Sequence, residues 1–168
     1  LPMRPGRPAR QDSEYKRGGM ATLFMAFEPL AGHRHVEVTA RKTSVDFAHF
    51  MQQLADEHYP HARRIVLVCD NLSTHSPAAF YEAFEPAEAR RLAQRFEWHY
   101  TPKHGSWLNV AEMELSVLAR QCLDRRIPDH DALAHEVDAW QRQRNAAVAK
   151  VRWQFNTADA RLKLHQLY

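Results

Sequence analysis

Residues 65–70 read Ile-Val-Leu-Val-Cys-Asp. Five consecutive apolar residues have the length of a strand, and their lack of alternation predicts a strand buried on both faces, as in parallel or mixed α/β sheets. The run ends at Asp70, followed by Asn71. An aspartate at the carboxyl end of such a strand stands on the rim where ligands and reactions collect in open α/β sheets. A second reading stays open, because Asp and Asn side chains bond nearby backbone and make turns.

Upstream, the apolar run from Met20 to Phe27, the turn residue Gly32 and the alternating His35–Thr39 stretch predict a β-hairpin. Ser44 is a candidate cap for a helix to about His58, with Val45, Phe47, Ala48, Met51, Leu54 and Ala55 on its inner side. Downstream, Ser76-Pro77 opens a helix through Phe84 and Pro86 a second through about Arg95. Phe96–Tyr100 alternates as a strand. A helix runs from about Trp107 to Leu123 with Leu108, Ala111, Leu115, Leu118 and Cys122 along one stripe. Another, carrying Leu133, Val137 and Trp140, starts after Asp129 or His130 and stops near Asn145, and Thr157 is a candidate cap for a short last helix. This order of strands and helices predicts an α/β or α+β domain.

Glu112 falls in the first turn of the helix after the Pro102–Asn109 loop. Asn109 and Glu112 have capping-box spacing, so the glutamate has a purely local use. The helix dipole also keeps a first-turn carboxylate ionised, as a hard cation requires. Glu114 is about 200° further round the helix. It is expected to point toward solvent, which favours Glu112.

The net charge of +3 is not evenly spread. The first twenty residues carry five basic and two acidic groups, Arg7 and Arg10 among them, while the rest of the chain balances. Such a Pro/Gly/Arg-rich stretch suits phosphates, and also suits a solvated loop. The chain opens Leu-Pro-Met-Arg-Pro-Gly-Arg without an initiating Met, which reads as a piece of a longer protein. Cys69 and Cys122 both sit in apolar patterns and read as buried free thiols, in keeping with a reducing cytosol. No pair among the five glycines has nucleotide-loop spacing, which sets aside a nucleotide-binding domain. The sequence holds no His-Glu-x-x-His or Cys-x-x-Cys, so His33 and His35 read as a solvated hairpin pair and not as zinc ligands.

Three blocks carry a resemblance: Asp70-Asn71-Leu72-Ser73-Thr74-His75, Tyr100-Thr101-Pro102, and Gly105-Ser106-Trp107-Leu108-Asn109-Val110-Ala111-Glu112. In this order they resemble the second and third catalytic blocks of mariner-related bacterial insertion-sequence transposases of the DDE superfamily. Arg10–Arg17, Trp140–Asn145 and Trp153–Leu164 resemble further parts of that family. The resemblance implies a single incomplete catalytic domain over residues 1–168, with a basic loop at 1–19 and core and C-terminal helices at 20–168. The implied fold is a ribonuclease H-like mixed sheet flanked by helices and lacking its first, central strand. That strand carries the family's first aspartate, and neither Asp12 nor Asp46 stands where it belongs. Its loss is expected to leave the 65–69 strand and the first hairpin strand each with an open edge, and the chain inactive and poorly stable alone.

The implied activity is metal-dependent DNA cleavage and strand transfer at transposon ends. Asp70 and Glu112 would be catalytic and metal-binding, with two Mg2+ or Mn2+ ions in the complete enzyme. Asn71, His75, Lys103, His104, Ser106, Trp107, Arg7 and Arg10 would lie at or near the DNA. The partners implied are double-stranded DNA and a second copy in the full-length protein, in a cytoplasmic, nucleoid-associated location. A non-catalytic nucleic-acid-binding remnant is the alternative.

Overall fold

The structure, a computed structural model, describes residues 19–102, 109–152 and 161–162. Strands β1 (Thr22–Glu28) and β2 (His33–Thr39) form an antiparallel hairpin in which Met25 faces Val36 and Thr22 faces Thr39. Gly32 turns it at φ +70°, and its amide donates to Glu28 O at 2.8 Å. Helix α1 (Ser44–Gln53) continues into a π-helical turn, Leu54–His58. Strand β3 (Ile65–Cys69) is followed by α2 (Ala78–Ala83), α3 (Pro86–Arg95) and β4 (Phe96–Tyr100). Helix α4 (Val110–Leu118) runs into a second π-helical turn, Ala119–Leu123, and α5 (His130–Ala146) closes the described core.

Local chemistry places most of these boundaries. Thr43, not Ser44, caps α1: its side chain accepts from Asp46 N while Asp46 accepts from Thr43 N, a reciprocal box that satisfies two otherwise unpaired amides. Asp129 caps α5 by accepting from Ala132 N. Pro86 occupies the first turn of α3, where a missing amide hydrogen costs nothing. Helix α2 starts at Ala78 with no side-chain cap, so Ser76 and Pro77 hold its entry through backbone carbonyls alone, Ser76 O accepting from Ala79 N at 3.1 Å.

Strands β3 and β4 pair in parallel, with Ile65 opposite Phe96 and Cys69 opposite Tyr100. A parallel pair needs a crossover, here supplied by α2 and α3. Among the described residues β1 pairs only with β2 and β3 only with β4, giving two two-stranded sheets in place of one mixed sheet.

The two sheets share a helical layer. Phe24 and Ala26 of β1, Ile65 and Leu67 of β3, and Phe96 and Trp98 of β4 pack with Phe47, Phe50, Met51, Phe80 and Leu92 of α1–α3. The other face of the hairpin (Leu23, Met25, Val36 and Val38) packs with Leu115, Leu118, Cys122, Val137 and Trp140 of α4, its π turn and α5. Helix α5 also covers the outer edge of β2. Asn145 Oδ1 accepts from Arg34 N, its Nδ2 donates to Arg34 O, and Gln141 Oε1 accepts from Val36 N, so side-chain amides take the place of a neighbouring strand.

Three sequence expectations fail here. Among the described residues strand β3 is covered on one face: Val66 and Val68 are 63% and 56% exposed, while Ile65, Leu67 and Cys69 point to the helices. Five apolar residues of strand length do not reveal whether a second layer exists. Val45 is exposed and Phe50 takes an inner position in its place. His33 and His35 are half-buried beneath the turn at His58 and are not solvated. Cys69 and Cys122 are buried free thiols as expected, and burial pushes Cys69 up to about 11, with Asp70 adding to the shift. The Thr157 cap and the basic loop at residues 1–18 lie outside the described residues. No described helix is long and apolar enough to cross a membrane.

Of the two described glycines, Gly32 is the one in close contact. A Cβ there would sit 2.8 Å from Val148 C and 2.9 Å from Val148 O, at a φ of +70°. The hairpin turn and the chain after α5 therefore meet backbone to backbone, and Val151 N also donates to Pro29 O at 3.3 Å. Gly32→Ala is expected to cost about 1–3 kcal/mol, from the left-handed conformation alone. The urea midpoint should fall with an unchanged slope; an unshifted midpoint would mean that this contact contributes nothing.

Candidate active site

Asp70 leaves β3 where that strand and β4 are tied at their carboxyl ends. Thr101 N donates to Cys69 O at 2.9 Å, and Asn71 Nδ2 donates to Thr101 O at 2.6 Å. Asp70 Oδ1 accepts twice, from Leu72 N at 3.2 Å and from His75 Nδ1 at 2.6 Å. The turn reading holds: one carboxylate oxygen builds the turn, and Oδ2 makes no hydrogen bond among the described residues. The Asp70 side chain is 40% exposed and that of His75 is 21% exposed.

His75 is held on three sides. Its ring meets Phe47 of α1 with centroids 4.6 Å apart, its Nδ1 meets Asp70, and its carbonyl accepts from the Tyr100 hydroxyl at 3.1 Å. Tyr100 in turn stacks on Trp98 with centroids 6.2 Å apart. Phe47, Tyr100 and the buried Thr101 therefore support the rim, a part not expected of them. Signals exist for Phe47, on the inner side of its helix, and for Tyr100, which the alternation of Phe96–Tyr100 sets on the same face as Phe96 and Trp98.

Glu112 occupies the first turn of α4, half-buried. Asn109 caps the helix by accepting from Ala111 N at 3.1 Å. The reciprocal bond from Asn109 N to Glu112 is absent among the described residues, in contrast to the box at Thr43 and Asp46. Glu112 is thus not consumed by its own helix start.

The expectation for Glu114 is overturned. It is 2% exposed and sits between two arginines, with Oε1 at 2.9 Å from Arg34 Nε and 2.7 Å from Arg144 Nε. The first contact has ion-pair distance but lies off the line of a hydrogen bond; the second is aligned. Helix α4 has two inner directions, one toward the apolar stripe and one toward β2 and α5, and a single-stripe reading sees only the first.

A family model for the DDE superfamily endonuclease matches residues 1–134, which takes in the Asp70 turn and the start of α4. The chain belongs to the DDE superfamily endonucleases. No curated protein and no solved structure matches it. Endonucleases of this superfamily act on DNA and generally use divalent metal ions. Asp70 and Glu112 offer the hard oxygen donors that such ions prefer. They fall short in number: among the described residues no three His, Cys, Asp or Glu side chains assemble as a metal-binding group. The chain's described residues therefore do not by themselves make a complete DDE metal centre. Lys103, His104, Ser106 and Trp107, like Arg7 and Arg10, lie outside the described residues.

Proposed function

We propose that this DDE endonuclease chain is the later part of a mariner-related insertion-sequence transposase domain, built to cut and join DNA at transposon ends. Asp70 and Glu112 act as the second and third metal-binding carboxylates of a ribonuclease H-like sheet. A preceding strand, bearing the first aspartate, belongs between β1 and β3. The observation that carries this reading is the division of labour at Asp70. His75 and Leu72 N hold Oδ1 and so orient the carboxylate, while Oδ2 is left for a ligand. Fixing a ligating carboxylate through a neighbouring group is how proteins tune a metal site.

Asn71 and His75 shape the rim, since the Asn71 amide is spent on Thr101 O and the His75 ring on Asp70. Two Mg2+ or Mn2+ ions, when bound, would activate the attacking water or 3′-hydroxyl and stabilise the leaving oxygen. The basic groups of the 1–19 loop and those near Lys103 contribute contacts to phosphate, and the full-length protein works as a dimer on double-stranded DNA.

The test adds an N-terminal strand ending in Asp to the 168-residue chain and measures nicking of supercoiled plasmid with Mg2+. Nicking by the extended chain, with none by the 168-residue chain, is the expected result. Robust Mg2+-dependent cleavage by the 168-residue chain would remove the proposed dependence on a missing strand. An extended chain that binds DNA and never nicks it would favour the non-catalytic nucleic-acid-binding remnant.

A further inference from the structure

Strand β2 presents His33, His35 and Glu37 on one face, at the two-residue spacing of a strand. Above them lie α1 and the Leu54–His58 turn. The His35 ring stacks on Phe50 at 5.3 Å between centroids and meets the His58 ring at 3.9 Å, with His33 at 6.2 Å from His58. His35 Nε2 and Glu37 Oε2 are buried without a hydrogen-bond partner among the described residues.

The charged neighbours offer these imidazoles little compensation. From α1 come His49 and, in its first turn, Asp46, and both act on Glu37. The π turn contributes Glu57, which acts on His58 and Glu37. Glu28, on β1 opposite His33, is taken by the Tyr59 hydroxyl at 3.1 Å. Burial and then His58 push His35 down to about 4, with the Gln53 side chain opposing as an acceptor and His33 adding to the shift. Burial and then His33 hold His58 below its ordinary range, against Glu57. Glu37 is held above its ordinary range by burial, against His49.

We propose that the seam between β2 and the Leu54–His58 turn is an acid-opened joint. It stays closed while His35 and His58 are neutral and parts when they take up protons. A closed seam keeps two imidazole rings in contact, so a second positive charge there has nowhere to go but apart. Both groups titrate lower in the folded chain than in the open one. Their contribution to stability is therefore complete above the ordinary histidine value and is lost as pH falls from about 6.5 toward 4. Helix α1, which runs into that turn, carries Phe47, the ring against His75, so the seam and the Asp70 rim share one helix.

Hydrogen exchange on the intact 168-residue chain tests this, with rates corrected for intrinsic exchange at each pH. The opening constant of peptides covering 33–39 and 50–58 is expected to rise by about 20-fold between pH 7 and pH 5 from His35 alone, while 65–69 and 96–100 rise far less. In His35→Phe, which keeps the stack on Phe50 and removes that proton site, the rise should shrink several-fold, leaving only the part that His58 contributes. No preferential rise in the wild-type chain, or an equal rise in the variant, overturns the joint. If the variant does not fold, nuclear magnetic resonance titration of the wild-type chain decides. A His35 value below about 5.5 supports the proposal, and one at or above that value overturns it.

Discussion

Replacing Glu114 with alanine is expected to cost about 3–5 kcal/mol, because it leaves buried arginine charge unpaired. That is a large share of the roughly 5–15 kcal/mol that holds an ordinary domain together. Glu114 joins three elements. Arg34 of β2 reaches it through Nε and spends its other nitrogens on Asn145 Oδ1 at 3.1 Å and Ala149 O at 2.7 Å. Arg144 of α5 reaches it through Nε at 2.7 Å and through a terminal nitrogen at 3.3 Å. Arg34 also lies 4.9 Å from the centre of the Phe27 ring, a cation–π contact that cannot substitute for a counter-charge. Burial already lowers the Arg34 value, with Glu114 the main opposing influence.

The loss should be read from urea unfolding followed by tryptophan fluorescence, to which Trp140 contributes. That ring has Arg34 6.0 Å and Arg144 5.4 Å from its centre. Glu112→Ala, two residues away and half-buried, should cost less than about 1 kcal/mol. Similar losses for the two variants would sink the claim that Glu114 is the keystone of α4.

The second large effect concerns chemistry. In the N-terminally extended chain, Asp70→Asn is expected to reduce Mg2+-dependent nicking by about 10²–10³-fold, the scale on which a lost electrostatic contact of the transition state acts. Asparagine isolates the charge. Its side-chain oxygen can still accept from Leu72 N, so the turn survives and the unfolding free energy from urea titration should change by less than about 1 kcal/mol. A defect in rate without one in stability is what distinguishes a ligand from a turn residue. If Asp70→Asn nicks as fast as the parent, Asp70 is only a turn residue and the proposed mechanism fails with it.

Most of the local structure is legible in the chain because its causes are local. The proline opening α3, the Asp129 cap and the alternation of Phe96–Tyr100 are written in neighbouring residues, while the cap of α1 falls on Thr43, one residue before the Ser44 expected. Asp70 and Glu112 stand out for the same reason, one ending an apolar run and the other beginning a helix. Glu114 shows the limit. Its burial follows from Arg34, 80 positions earlier in the chain, and Arg144, 30 positions later, and no periodicity within α4 encodes a partner at that distance. His35 repeats the lesson, since a histidine in a polar hairpin pattern becomes half-buried only when the turn at His58 folds over it.

The sequence by itself therefore determined the elements, their order, the free thiols and the two carboxylates worth testing. Each depends on residues a few positions apart and on the 2.0 and 3.6 periods of strand and helix. Only the tertiary structure decided that β3 is covered on one face, that Oδ1 and not Oδ2 of Asp70 is spent on the turn, and that α4 is clamped by Glu114. Those outcomes depend on which distant surfaces meet, and burial and charge pairing come into being only when they do.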